Sequence, residues 1–256
     1  MNYVMDINAY LARIEYRGSL LPTSESLRDL QLSHLLAVPF ENLSIHTNEP
    51  ILLQEDWLFD KIVRRRRGGF CYELNGLFAV LLRQLGFRVT LLSAGVARPD
   101  GSFGPDFDHL ALLVELDDRW LVDVGFGDSF RLPLLLDRRE AQPQGERSYQ
   151  IVKEGEYLTL KERDNNADSA LLKAQYRFTL RPNKLSDYEA MCHYHQTSPA
   201  TTFTQKRMCS IARPDGRVTL SDLCLIETTG NKRRERVLTD DEEYAAVLAK
   251  EFGIIP

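Results

Sequence analysis

An α+β fold is expected from three features of the sequence. Helical periodicity runs through the first third, strand periodicity takes over after Gly86, and no regular strand–helix alternation follows. Asp6 caps a first helix whose Ile7, Tyr10, Leu11 and Ile14 fall at i, i+3, i+4 and i+7. Pro22-Thr23-Ser24 introduces a second, with Leu27, Leu30, Leu35 and Leu36 facing inward. A third starts near Glu55, where two acids suit the positive helix end, and runs through Val63. The fourth starts near Cys71, keeps Leu74, Leu77, Phe78, Leu81, Leu82 and Leu85 on one stripe, and stops at Gly86.

Beyond Gly86, Phe87–Ala97 reads as a strand and Pro99–Pro105 as a Gly/Pro loop. His109–Leu116 and Trp120–Gly125 flank Asp117-Asp118 as a hairpin. Shorter strands are expected at Ser148–Val152, Glu156–Leu160, Tyr176–Leu180, Val218–Leu220 and Leu223–Glu227, the last two as partners. Arg138–Arg147 reads as a polar surface loop, and Thr239-Asp240 begins a last helix carrying Tyr244, Val247 and Leu248.

Composition narrows the function. The chain has 256 residues, 43% of them apolar, enough for a sizeable core. Its 32 basic and 37 acidic residues leave a net charge of −5, so nucleic acid and anionic membranes are not expected partners. Charges at Asp6, Arg13, Glu15 and Arg17 interrupt any signal-like run, and no stretch approaches the ~20 apolar residues of a membrane span. Four cysteines are too few for a disulfide framework and fit free thiols in a reducing cytoplasm.

The segment Arg67-Gly68-Gly69-Phe70-Cys71-Tyr72-Glu73-Leu74-Asn75 carries the chemistry. Two glycines ahead of the helix permit unusual backbone and are expected to leave room for a substrate beside Cys71. In the first helical turn, unpaired amides and the helix dipole favour an anion, so a lowered thiol pKa is expected. His109 at a strand start and Asp123 in Val122-Asp123-Val124-Gly125-Phe126-Gly127 supply a base and its orienting group, in the order Cys, His, Asp. A two-residue turn at Asp117-Asp118 would set Asp123 opposite Leu112, three residues from His109, so their contact requires a bulge, another turn or separated strands.

These segments resemble the arylamine N-acetyltransferases. Alongside the cysteine motif and the Asp123 motif stand Val38-Pro39-Phe40-Glu41-Asn42 and Thr197-Ser198-Pro199, followed by Phe203, Cys209-Ser210 and Pro214-Asp215-Gly216. The resemblance implies a helical bundle over residues 1–86 carrying the cysteine, an antiparallel β-barrel over 87–190 carrying His and Asp, and an α/β lid over 191–256, around a papain-like core. It implies a catalytic triad of Cys71, His109 and Asp123, a substrate cleft at Phe40, Phe126 and Phe203, and coenzyme A near Gly104, Phe107 and Tyr194. The implied reaction moves an acetyl group from acetyl-coenzyme A to an arylamine, arylhydroxylamine or hydrazine by way of Cys71, as in xenobiotic metabolism, with no metal. A cysteine hydrolase or transglutaminase-like enzyme with the same triad, and a binding protein on an inactive scaffold, are the alternatives.

Other features read more plainly. Arg64–Arg66 are expected to be solvated and paired with acids, with Arg67 supporting the glycine turn. Lys206 and Arg207 read as a solvated face. Cys192-His193-Tyr194-His195 lacks a second ligand pair at zinc spacing. Glu73 either positions groups near the thiol or stabilises the first helical turn.

Overall fold

A computed structural model describes residues 5–166, 171–230 and 232–255. The helices begin where capping chemistry puts them. Asp6 accepts the Ala9 amide at the head of α1 (Ile7–Arg13), and Thr23 exchanges bonds with Ser26 at the head of α2 (Ser24–Ala37). On α2 the inward face is Leu27, Leu30, Gln31 and His34; Leu35 and Leu36, expected inside, are only partly buried. After β1 (Phe40–Glu41) and the single turn α3 (Leu43–His46), α4 (Glu55–Phe59) continues into a wider π-type turn over Asp60–Arg64.

The central helix α5 (Cys71–Gln84) is buried on all sides from Cys71 to Leu82, not along one stripe. It lies between the other helices and the first strands of a sheet, so every face meets protein. Gly86, at φ +92°, ends it in a conformation that side chains disfavour.

The larger sheet comprises β2 (Arg88–Val96), β3 (His109–Glu115), β4 (Arg119–Val122), β5 (Leu134–Leu135), β6 (Gln142–Gln144), β7 (Arg147–Glu154), β8 (Tyr157–Asp164) and β9 (Lys173–Phe178). Its order, β5-β4-β3-β2-β9-β8-β7-β6, curls into a nearly closed antiparallel barrel. Side-chain amides bridge the seam: Gln142 both accepts from Leu135 N and donates to Leu135 O, each at 2.9 Å, and Gln144 does the same with Leu132. The expected loop at Arg138–Arg147 therefore contains β6. It pairs with β7 in an antiparallel ladder and reaches the β5 side through glutamine side chains, which a polar Gln-Pro-Gln composition hides. Strand β3 is buried on both faces. Leu110, Leu112 and Val114 pack with α5, while Ala111 and Leu113 join the barrel interior.

The rest of the chain builds a second layer. A short 3₁₀ turn (Leu185–Tyr188) leads into α6 (Glu189–Thr197) and α7 (Thr202–Gln205). Strands β10 (Met208–Arg213), β11 (Gly216–Ser221), β12 (Cys224–Thr229) and β13 (Lys232–Val237) form an antiparallel meander whose other edge is β1. The expected pairing of the Val218 and Leu223 segments holds, with Leu220 opposite Leu225. Helix α8 (Asp241–Phe252), capped by Asp240, packs Tyr244, Val247 and Leu248 into this sheet's own core. The result is α+β, with helices, a barrel and an α/β layer. Among the described residues no helix is long and apolar enough to cross a membrane.

Candidate active site

Cys71 is the first residue of α5. The turn before it is held by Glu73, whose Oε2 accepts the Phe70 amide at 3.1 Å while Oε1 accepts from Lys61 Nζ at 2.7 Å. Both side chains of this ion pair are at most 2% exposed, so Glu73 serves the helix start and the core. The sequence leads one to expect that the glycines leave room for a substrate, but in the structure they do not. A Cβ on Gly68 would lie 2.0 Å from Pro39 O, and one on Gly69 would lie 2.7 Å from Glu73 Oε2. Their space is filled by β1, which bridges to Gly69, and by the Glu73 carboxylate.

The hairpin brings His109 and Asp123 together by a register one residue away from the simplest turn. Glu115 pairs with Arg119 and Leu112 with Val122, across a three-residue loop in which Leu116 N donates to Asp118 O. Strand β4 ends at Val122, so Asp123 leaves the ladder at the rim. There Asp123 Oδ2 lies 2.7 Å from His109 Nε2, with both residues buried. The strands have parted at that point, which is how the offset in register is overcome.

Asn75 locks this geometry. One helical turn after Cys71, its Nδ2 donates to Leu110 O (2.7 Å) and to Asp123 Oδ1 (2.8 Å), and its Oδ1 accepts the Val124 amide (2.9 Å). One side chain thus ties the cysteine helix to both barrel segments. Gly125 N donates to Asp123 Oδ1 at 2.8 Å. Gly125 also lets the segments close, since a Cβ there would fall 2.7 Å from both Cys71 Cα and Asn75 Nδ2. The sequence signal for Asn75 is its i+4 spacing from Cys71, which puts both on one face of the helix.

A carboxylate oxygen only accepts, so His109 Nε2 donates to Asp123 Oδ2, and in the neutral ring Nδ1 is the nitrogen with the free lone pair. The Leu110 amide, next to His109, favours the charged form of the Cys71 sulfur. A sulfur–imidazole bond is not among the hydrogen bonds of the described residues. The thiol, only 4% exposed, departs from the expected lowered pKa. Burial pushes it well up and outweighs the lowering effect of the Leu110 amide, with the charges of Asp123 and Asp108 acting in the same upward direction. The helix start alone does not hold a thiolate.

Aromatic rings surround the imidazole. Phe126 meets it edge-on at 5.2 Å, and Tyr176 lies 5.0 Å away. Burial and the charge of Asp123 keep the Tyr176 phenol protonated. Half-buried Phe203 packs against Phe70 at 5.5 Å and faces Phe40 at 6.3 Å. Of the residues expected near coenzyme A, Gly104 is buried with its amide on Val96 O. Phe107 is half-buried against Tyr188 at a φ of +66°, and Tyr194 is 42% exposed.

The remaining motifs resolve into structure. Arg67 pairs with Glu41 at 2.9 Å, and Arg65 with Glu49 at 2.6 Å. Arg207 stacks on Tyr244 and pairs with Asp241. Cys192 meets the Gln196 amide, and His195 turns toward Asp108. Among the described residues no group of three His, Cys, Asp or Glu side chains is placed to hold a metal ion.

A cysteine-bearing helix seated on barrel strands that carry histidine and a carboxylate is the papain-like arrangement, and it defines the class. Known proteins agree on the family. A family model described as N-acetyltransferase matches residues 23–255. The arylamine N-acetyltransferase pineal gland isozyme NAT-3 of Gallus gallus is 37% identical, over 98% of this chain and 94% of its own length. The arylamine N-acetyltransferase of Mycobacterium marinum superposes with a TM-score of 0.89 at 33% identity, over 97% of this chain and 93% of that one. The Mycobacterium marinum arylamine N-acetyltransferase in complex with CoA superposes with a TM-score of 0.88 at 32% identity, over 97% and 93%. The chain belongs to the arylamine N-acetyltransferase family and is an acyltransferase.

Proposed function

We propose that this protein carries an acetyl group from acetyl-coenzyme A to an arylamine, arylhydroxylamine or hydrazine in two half-reactions, through an acetyl thioester on Cys71. Family membership supports the transfer. The observation that carries the mechanism is the 2.7 Å bond between His109 Nε2 and Asp123, because in the neutral ring it leaves Nδ1 as the nitrogen able to take a proton. A buried thiol held up in pKa stays protonated at rest, so His109 takes its proton as sulfur attacks the thioester carbonyl. A C–S bond forms, the bond to coenzyme A breaks, and the leaving thiolate takes the proton back from His109. The amine nitrogen then attacks the acetyl-enzyme, His109 accepts the amine proton, and the C–S bond to Cys71 breaks as the leaving sulfur takes that proton from His109. The Cys71 backbone amide, at the first helical position, is suited to the developing oxyanion.

The rings of Phe40, Phe126 and Phe203 suit a flat aromatic acceptor and exclude water, which competes for the acetyl group. The Gly104–Phe107 loop and exposed Tyr194 are the residues assigned to coenzyme A. No step in this scheme uses a metal. Three domains, 1–86, 87–190 and 191–256, go with this reading; the barrel interior has an apolar core of its own, while the core of the helices extends into β2–β4. So does a cytoplasmic, reducing setting, supported by the free thiols at Cys71, Cys192, Cys209 and Cys224.

Intact mass measurement after incubation with acetyl-coenzyme A tests the proposal. One acetyl adduct is expected, mapping to Cys71, lost on adding an aromatic amine and absent from Cys71→Ala. An unmodified protein that cleaves peptides would point to the hydrolase instead, and one inert to both would point to a binding protein.

A further inference from the structure

Behind the candidate triad stands a second carboxylate–imidazole pair. Asp108, the residue before His109, has Oδ1 3.2 Å from Nε2 of His195 on α6, and the side chains are 17% and 8% exposed. Each end is anchored. Asp108 Oδ2 accepts the Val96 amide at 3.1 Å, and His195 Nδ1 bonds the Thr201 hydroxyl at 3.0 Å. The loop folds around this carboxylate so closely that a Cβ on Gly104 would fall 2.0 Å from Oδ2.

Tyr72, the residue after Cys71, links the pair to the sulfur. Its hydroxyl donates to Phe107 O at 2.7 Å and lies 3.1 Å from Asp108 O. Its ring stacks on the His195 imidazole with 6.1 Å between centroids and 30° between planes. The chain neighbours of both nucleophile and base, Tyr72 and Asp108, are therefore gripped by one residue of α6. The titratable groups facing the pair are Tyr72 and Cys71 from α5, His109 from β3 and Tyr194 on α6, and those facing Tyr72 in turn include Cys192 and Tyr188.

We propose that His195 is a positioning residue: by holding Asp108 it fixes the backbone that leads into His109 and draws the Asp108 charge away from the Cys71 sulfur, so that the seating of α6 sets how readily the thiol reacts. This rests on the roles proposed above for Cys71 and His109. The electrostatics agree with the geometry. Burial works to raise the Asp108 carboxyl, yet the neighbouring His195 imidazole and the Val96 amide hold it below its ordinary range. Asp108 is also among the charges that push the Cys71 thiol up.

The test is the pH dependence of Cys71 alkylation by iodoacetamide, on the full chain, with thermal unfolding as a check on folding. In His195→Gln the alkylation midpoint is expected to rise by about 0.5 pH unit or more, making the reaction about threefold slower below the midpoint. Removing the uncompensated carboxylate as well, in the Asp108→Asn/His195→Gln double variant, is expected to return the midpoint toward wild type. That rescue separates a charge role from simple packing. A His195→Gln profile that superposes on wild type overturns the proposal, as does a double variant no faster than the single one. Should His195→Gln not fold, Asp108→Asn alone decides: a lowered midpoint supports the pair, and an unchanged one overturns it. Alkylation needs no acyl donor, so failure of the wild-type protein to acquire an acetyl adduct counts against acetyl transfer and leaves this comparison standing.

Discussion

His34 shows how a single buried residue makes stability depend on pH. It is fully enclosed on α2, with Nδ1 3.0 Å from the Tyr10 hydroxyl and its ring 5.3 Å from Phe78. Burial, and secondarily the positive charge of Arg13, lower its pKa from 6.5 to about 3. The unfolded chain therefore binds a proton at His34 between about pH 6.5 and pH 3 that the folded chain refuses. Stability contributed by the neutral ring is present above pH 6.5 and is lost as pH falls, levelling off below pH 3. The expected loss is about 2 kcal/mol at pH 5 relative to pH 8. Urea unfolding at the two pH values checks it, and His34→Gln should remove that part of the difference. Equal pH sensitivity in the variant would contradict the assignment.

At the scale of elements, the site depends on how closely α5 approaches the segment after β4. Asn75 supplies the bonds, and Gly125 supplies the clearance. Gly125→Ala places a methyl 2.7 Å from the Cys71 backbone and Asn75, neither of which can yield without moving helix or loop. We expect a loss of about 1–3 kcal/mol in stability. We also expect a fall in acetyl transfer of about 100-fold, because a shift near 1 Å breaks the alignment of sulfur and imidazole. Alanine at this position with unchanged transfer rate and melting temperature would show that the approach is looser than the structure has it. Element existence was legible here and element detail was not. The stripe from Leu74 to Leu85 announces α5, yet its burial on every side reflects a barrel assembled from residues that come later in the chain. The hairpin at Asp117-Asp118 is visible as a turn, while its one-residue shift in register is set by where the barrel ends β4.

Across the whole molecule, Arg131 fastens the barrel to the second sheet. Its guanidinium donates to the carbonyls of Arg213 (2.7 Å), Pro214 (3.1 Å) and Gly216 (2.5 Å), gripping the β10–β11 turn. Nearby, Asp128 joins Arg147 from β7 and Arg217 from β11 at 3.0 and 3.2 Å, around a cavity of about 570 Å³ between the two layers. Arg131→Ala removes the charge-assisted bonds and leaves three carbonyls to find water. Amide hydrogen exchange should then quicken at residues 208–221 while the barrel strands β2 and β3 stay protected. Uniform exchange in both would mean that the two layers open as one unit.

Much of this protein follows from local rules that a short stretch of chain obeys by itself. Asp6, Thr23 and Asp240 begin helices because each oxygen meets an amide within three residues, and Gly86 ends one because its backbone turns left-handed. The cysteine at a helix start, and the histidine and aspartate of neighbouring strands, were legible on the same grounds. Tertiary structure alone decided the environment of the thiol, since a helix start favours an anion but burial, joined by the charges of Asp123 and Asp108, pushes the other way. It alone decided the uses of Asn75, of Gln142 at the barrel seam and of His195 behind the base. The physical reason is common to all of them: desolvation and side-chain hydrogen bonding depend on partners tens of residues distant, and no local pattern records which of those partners the fold will bring within three ångströms.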